Sequence, residues 1–86
     1  MERIAVISAI LDDPKNTQHQ FNNVVSEFAS IIRGRMGLPF DKEKIATVCL
    51  VVVGKMDEIN TFTGKLGQID NVSVKTAISN KEVSSP

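Results

Sequence analysis

The pattern of apolar and polar positions divides the chain into strand-like and helix-like segments. Residues 3–11 read RIAVISAIL and residues 45–53 read IATVCLVVV, so both are almost continuously apolar and rich in β-branched side chains. Each run is too short for a typical helix, and the pattern is typical of a strand that is buried on both faces. Residues 72–78 largely alternate between apolar and polar side chains, which predicts a strand with one buried face.

Two other stretches carry apolar residues at spacings of three and four, which predicts amphipathic helices. Asp13 precedes the first and is predicted to cap it through its carboxylate, while Pro14 suits the first turn. Gly67 is predicted to stop the second helix, and Lys65 complements its last turn. The apolar stripe of the first helix comprises Phe21, Val24, Val25, Phe28, Ile31 and Ile32, and that of the second Met56, Ile59, Phe62, Thr63 and Leu66.

Between the first helix and the strand at 45–53, residues 32–38 include two glycines and precede Pro39. This composition predicts a short, irregular strand at a sheet edge. The resulting order βαββαβ, closed with right-handed crossovers, predicts an α+β fold of the ferredoxin-like split βαβ kind. Its four-stranded antiparallel sheet has the order 4-1-3-2, with both helices on one face. Residues 1–79 are predicted to form one domain, and the polar, aperiodic residues 80–86 a disordered tail.

This architecture leaves an apolar sheet face without a cover, because the two central strands are apolar on both faces and the helices cover only one. The set of alternate residues that contains Ser8, Thr47 and Cys49 is assigned to the uncovered face, since these side chains are mildly polar. Contiguous apolar patches beyond a few hundred Å² usually mark an interface. We therefore predict a homodimer or homotetramer whose sheets join by their faces or edges. The predicted interface residues are Ile4, Val6, Ile10, Ile45, Thr47, Cys49 and Val51.

Composition narrows the class of protein. Ten basic side chains balance ten acidic ones, which argues against direct nucleic-acid binding or an anionic membrane surface, since those contacts need clustered Lys and Arg. No apolar run approaches the roughly 20 residues of a membrane span. A single cysteine cannot form an internal disulfide, so a cytoplasmic location is expected.

Candidate chemistry is sparse. His19 and Cys49 are the only residues of their types, so no catalytic constellation, metal site or cofactor is predicted. The central strands contain no aromatic side chain on which RNA bases could stack. A binding or regulatory module is therefore favoured over an enzyme. An enzyme of the acylphosphatase type, which shares the fold, is a minor alternative.

The blocks GRMGLP at residues 34–39 and FTGKLGQIDNVSVKT at residues 62–76, set in the βαββαβ order, resemble the iron-only hydrogenase system regulators of anaerobic bacteria. That family is similar in fold to ACT domains and to the C-terminal domain of the nickel regulator NikR. The resemblance implies a small ligand-sensing or partner-sensing oligomer and no reaction. The single histidine and single cysteine do not rebuild a NikR-type metal site. No DNA-reading segment precedes Arg3, so direct DNA contact is not expected.

An ACT-like module would bind its ligand between subunits, near glycine-containing loops with accessible backbone N–H groups. The residues of this chain that the likeness suggests are Arg35, Gly37, Gly64, Gly67 and Gln68. Two alternatives stay open. Residues 33–37 are more typical of a solvated edge strand, on which Arg discourages aggregation, than of a ligand contact. The whole chain is also compatible with a structural accessory or assembly protein that binds another protein, such as a hydrogenase maturation protein, and no small ligand.

Overall fold

A computed structural model describes residues 1–84 of the chain. Its strands form one antiparallel sheet in the order β2-β3-β1-β4. This is the predicted order 4-1-3-2 counted from the opposite edge, so the predicted βαββαβ fold is confirmed. The elements are β1 (Arg3–Asp12), α1 (Pro14–Glu27), a 3₁₀ turn (Ala29–Ile31), β2 (Ile32–Phe40), β3 (Ile45–Gly54), α2 (Met56–Gly67) and β4 (Val72–Ile78).

The two central strands place alternate side chains on opposite faces of the sheet. Every second residue of β1, from Ala5 to Leu11, is buried, and the residues between them are exposed. The buried face of β3 lies directly opposite, with Ile7 paired to Leu50. The predicted assignment of the two faces is therefore confirmed. The helices contribute the other large, fully buried side chains of the core, which are Phe21, Ile59, Phe62 and Leu66.

The start of α1 differs from the prediction. Asp13 is the residue before the helix, but its backbone is left-handed, with φ 53° and ψ 64°, and its carboxylate accepts no hydrogen bond from the helix backbone. Instead the Asn16 amide donates to this carboxylate at 2.6 Å. The Asp13 N–H donates to the Lys44 carbonyl at 2.9 Å. This contact with the β2–β3 loop accompanies the unusual backbone, and the predicted side-chain cap is absent.

The end of α1 and the length of β2 also differ from the sequence pattern. The helix ends at Glu27, and Phe28 leaves the helical region with φ −111° and ψ 20°. Ile31 stays buried from within the 3₁₀ turn, while Ile32 already begins β2. The strand has a register shift between Ile32 and Gly34 and runs through Pro39 to its last residue. As predicted, it is an edge strand, which is where proline is tolerated because it lacks a donor.

The segment after β4 returns along the beginning of β1. Val83 exchanges two backbone hydrogen bonds with Glu2, at 3.2 and 2.7 Å, and Arg3 lies 3.6 Å from the Glu82 carboxylate. The predicted tail begins before these contacts and ends with residues 85 and 86, which lie outside the described part of the chain. The domain boundary at residue 79 stays a prediction. Neither helix within residues 1–84 has the length and apolar character needed to cross a bilayer.

Candidate functional site

The sheet face opposite the helices is an apolar surface, and we call it the open face. Among residues 1–84, seven of the nine exposed large hydrophobic side chains lie on it. They come from β1, β2 and β3, and ladder pairing joins them, with Val6 opposite Val51 and Met36 opposite Cys49. The open face comprises Ile4, Val6, Ser8 and Ile10 of β1, Met36, Leu38 and Phe40 of β2, and Ile45, Thr47, Cys49, Val51 and Val53 of β3.

The structure brings together all seven residues that the sequence predicted for the interface. It adds Met36, Leu38 and Phe40, which are 70%, 58% and 42% exposed. Sequence reasoning missed these three because β2 was predicted to end at Leu38 and its register to β3 was not assigned. The alternation of these three apolar residues with Gly37 and Pro39 is the sequence pattern that could have predicted them.

The apolar part of the open face ends at β4. Opposite Ile10 and Ser8 of β1, that strand presents Ser73 and Lys75. Both are exposed, so the charged and polar edge strand borders an apolar area built by the other three strands. An interface with an apolar centre and a polar rim has this composition.

A second candidate is a cleft of about 170 Å³ between α1 and the edge strand β2, which we call the α1/β2 groove. The Arg35 guanidinium donates from Nη2 to Oδ1 of Asn22 at 2.8 Å and lies 5.9 Å from the centroid of the Phe21 ring. Gly37 pairs with the buried Val48, so both face the helix layer. The groove is lined by Leu11, Gln18, Phe21, Asn22, Arg35, Gly37, Leu38, Pro39, Ala46, Thr47 and Val48.

The other three predicted ligand residues lie elsewhere. Gly64 and Gly67 belong to the last turns of α2, and Gln68 ends that helix by donating to the Gly64 carbonyl at 3.2 Å. Within residues 1–84, no hydrogen bond, ion pair or cleft joins them to Arg35 or Gly37. A single chain therefore brings two of the five predicted ligand residues together, and not the other three.

A substitution at Gly64 tests whether the fold of one chain requires a glycine at this position of α2. A Cβ built there meets nothing within 4 Å, and its φ is not positive. Because glycine inside a helix costs up to about 1 kcal/mol relative to alanine, Gly64→Ala is expected to raise the free energy of unfolding by roughly 0.5–1 kcal/mol. Urea denaturation followed by circular dichroism measures the change.

The matched comparison is Gly54→Ala, where the added Cβ would lie 3.2 Å from Cγ2 of Ile31. This variant should gain less than Gly64→Ala, or lose stability. Destabilisation by Gly64→Ala would contradict the open space seen around Gly64 in one chain.

A third candidate is a cleft of about 370 Å³ between the start of α1 and the β2–β3 loop, which the sequence did not indicate. Two carboxylates, of Asp13 and Asp41, and two ammonium groups, of Lys15 and Lys44, line it, so its formal charges cancel. In the part of the chain that the structure describes, no three His, Cys, Asp or Glu side chains are grouped as a metal site.

Comparison with known proteins agrees with the fold and names a family. No curated protein matches the chain. The uncharacterized protein TM1266 from Thermotoga maritima is 32% identical in sequence, with a TM-score of 0.87 over 91% of this chain and 98% of that one. LarC2, the C-terminal domain of a cyclometallase involved in the synthesis of the NPN cofactor of lactate racemase, shares the fold at 21% identity. Its TM-score is 0.51, over 93% of this chain and 58% of LarC2.

The family model that matches covers residues 3–76, which is nearly the whole of the sheet and both helices. Its description is "Iron-only hydrogenase system regulator, putative", and it names a regulator rather than an enzyme. The resemblance carried by residues 34–39 and 62–76 is thereby confirmed. The chain belongs to the TM1266-like family of iron-only hydrogenase system regulators.

Proposed function

We propose that this protein is an oligomeric, cytoplasmic regulatory module of the iron-only hydrogenase system, which senses a small molecule or a partner protein. The family supports the regulatory part of the proposal. The observation that carries the oligomer is the open face, where apolar side chains of three adjacent strands stay exposed in one chain. Covering such a patch stabilises the assembly by about 25 cal/mol for each Å² of apolar surface that is removed from water.

A second copy of the chain is the occupant that the open face fits best. Within residues 1–84, charged side chains lie at the border of its apolar area, namely Lys75 on β4 and Asp12 at the end of β1, which pairs with Ile45. Two identical faces of this kind are compatible with a two-fold interface, in which the same patch contacts itself. An 86-residue domain buries only a modest share of its own surface. Burial between copies therefore adds stability to that of the single chain.

Light scattering coupled to size exclusion tests the oligomer directly. At micromolar concentration the purified chain is expected to have the mass of a dimer or tetramer, and dilution should release the monomer. A monomer throughout that range would contradict the proposal, because the open face would then be stable in water by itself.

Sensing needs a separate experiment. A thermal-shift screen with amino acids, small organic acids, nucleotides and divalent metals is expected to raise the melting temperature for one class of compound, since a ligand that binds only the folded state stabilises it. No shift with any class, together with co-purification of a hydrogenase maturation protein, would replace sensing by the alternative of a purely structural accessory protein.

A further inference from the structure

We propose that the α1/β2 groove is a binding site for a small organic carboxylate, with the Arg35 guanidinium as the group that holds the carboxylate. The inference deepens the proposed function, on which it rests, because it names the chemical class of the sensed compound. It uses two of the predicted ligand residues, Arg35 and Gly37, and adds Gln18 and Asn22, which the sequence did not indicate.

Within residues 1–84, the charge of Arg35 has no ion-pair partner. In this part of the chain its side chain makes one hydrogen bond, to the neutral amide of Asn22. A guanidinium has five N–H donors in a rigid planar fork, so several remain for a ligand. Its contact with Asn22 and its position above the Phe21 ring, 5.9 Å from the centroid, hold the fork at the wall of the groove. A guanidinium oriented in this way matches the two oxygens of a carboxylate.

The rest of the lining suits a molecule with one anionic end. No Asp or Glu lines the groove, so nothing there repels a carboxylate. The amides of Gln18 and Asn22 can bond to polar substituents, while Leu11, Phe21, Pro39, Ala46 and Val48 make the other walls apolar. Leu38 and Thr47 also border the groove, but their side chains lie on the open face, where the Thr47 hydroxyl donates to the Leu38 carbonyl at 3.2 Å. Because Arg35 is exposed, a carboxylate bound to it depends on the planar two-point match with the guanidinium.

Gly37 leaves room for an occupant of the groove, although no contact within residues 1–84 requires a glycine there, as none does at Gly34, Gly64 or Gly67. Its φ is not positive, and a Cβ placed on it would meet only the Thr47 carbonyl, at an ordinary 3.7 Å. Glycine weakens a strand, yet it recurs where a ligand or another backbone approaches closely. A side chain at this position would point toward the helix layer, as Val48 does across the ladder, and would fill the groove.

The size of the groove and its single cation separate carboxylates from other anions. A volume of about 170 Å³ is smaller than the roughly 300–1,000 Å³ of drug-sized ligand pockets, which favours a small molecule over a nucleotide. Inorganic phosphate carries more charge than one arginine neutralises, and no Lys lines the groove to help. A carboxylate with a short apolar or hydroxylated chain uses the cation, the amides and the apolar walls together.

The experiment is a titration of the full chain with propionate, glycolate and alanine, followed by NMR of the backbone and side-chain amides. Propionamide serves as the neutral isostere of propionate, and inorganic phosphate as the competing anion. We expect saturable shifts at the Gly37 N–H and at the Gln18 and Asn22 side-chain amides with at least one of the three carboxylates. Propionamide and phosphate should bind at least ~10-fold more weakly, because each lacks part of the match to the site.

Variants separate the groove from a general effect of charge. Arg35→Gln is expected to weaken carboxylate binding at least ~10-fold. The matched control, Arg33→Gln, removes an exposed arginine of the same strand that bonds to the Ser30 carbonyl instead of lining the groove, and it should leave the affinity unchanged. Gly37→Val fills the groove and should abolish binding while circular dichroism and the oligomeric mass stay as in the wild type.

Equal affinity in Arg35→Gln, or phosphate binding as tightly as the carboxylates, would overturn the assignment. Loss of the oligomer in Gly37→Val would also overturn it, because a strand of a second copy would then be the occupant of the groove. Failure of the carboxylate site can be distinguished from failure of the proposed function. If the thermal-shift screen finds a ligand of another class and the chain is oligomeric, the regulatory function is supported and only the carboxylate site is refuted.

Discussion

Phe62→Ala is expected to lower the free energy of unfolding by about 3–5 kcal/mol, the largest loss of any single substitution considered for this fold. Phe62 is fully buried in α2, and its ring stacks on that of Phe28 at a centroid distance of 4.7 Å. Truncation would leave a cavity at the point where both helices meet the sheet. Small domains have a total stability of about 5–15 kcal/mol, so the variant is expected to be unfolded in a substantial fraction of molecules. Urea denaturation measured at one fixed protein concentration gives the difference.

Phe40→Ala is the matched control, since it removes the same side chain from a site where the ring is 42% exposed on the open face. In the monomer it should cost less than about 1 kcal/mol, because little surrounding structure collapses around it. Wild type and both variants are measured at a concentration dilute enough for the monomer, because association through the open face would bury Phe40 and stabilise the folded state by mass action. Similar losses in the two variants would contradict the separation of the buried core from the open face.

The fold could be predicted from the sequence because its signals are local and consistent. The two apolar runs around Ile7 and Leu50 required central positions in a sheet, and the order of helices and strands then allowed few topologies. Alternation along the strands also separated the buried face from the open face, since a residue such as Val6 must point away from its neighbour Ile7. Burial in the structure follows this division.

The features that the sequence did not predict depend on contacts between distant segments. Asp13 adopts a left-handed backbone next to its hydrogen bond with Lys44, some thirty residues away. The length of β2 depends on pairing with β3 across a loop in which Lys44 itself has a φ of 55°. Likewise, no contact within residues 1–84 brings the glycines of α2 to Gly37, because α2 packs on β4, α1, β1 and β3, whereas Gly37 lies on the edge strand β2.

Val51→Lys is expected to convert the oligomer to a monomer. Val51 lies in β3 at the centre of the open face, between Val6 of β1 and Gly34 of β2. It is 36% exposed in one chain, so a lysine can reach water there and the monomer should keep its fold. In a face-to-face assembly the same lysine would be buried without a partner charge, which weakens association at least ~100-fold. In a two-fold contact, the lysines of both copies would be buried.

Light scattering measures the mass of Val51→Lys beside Gln20→Lys, which adds the same charge on the exposed side of α1 and should remain oligomeric. Cys49 supplies a second measurement, since it is the chain's single cysteine, is a free thiol, and lies on the open face. A maleimide should label it slowly in the wild type and in Gln20→Lys, and quickly in Val51→Lys, because only the last uncovers the face. An unchanged mass and unchanged labelling in Val51→Lys would place the contact between copies at the sheet edges and refute the face-to-face assembly.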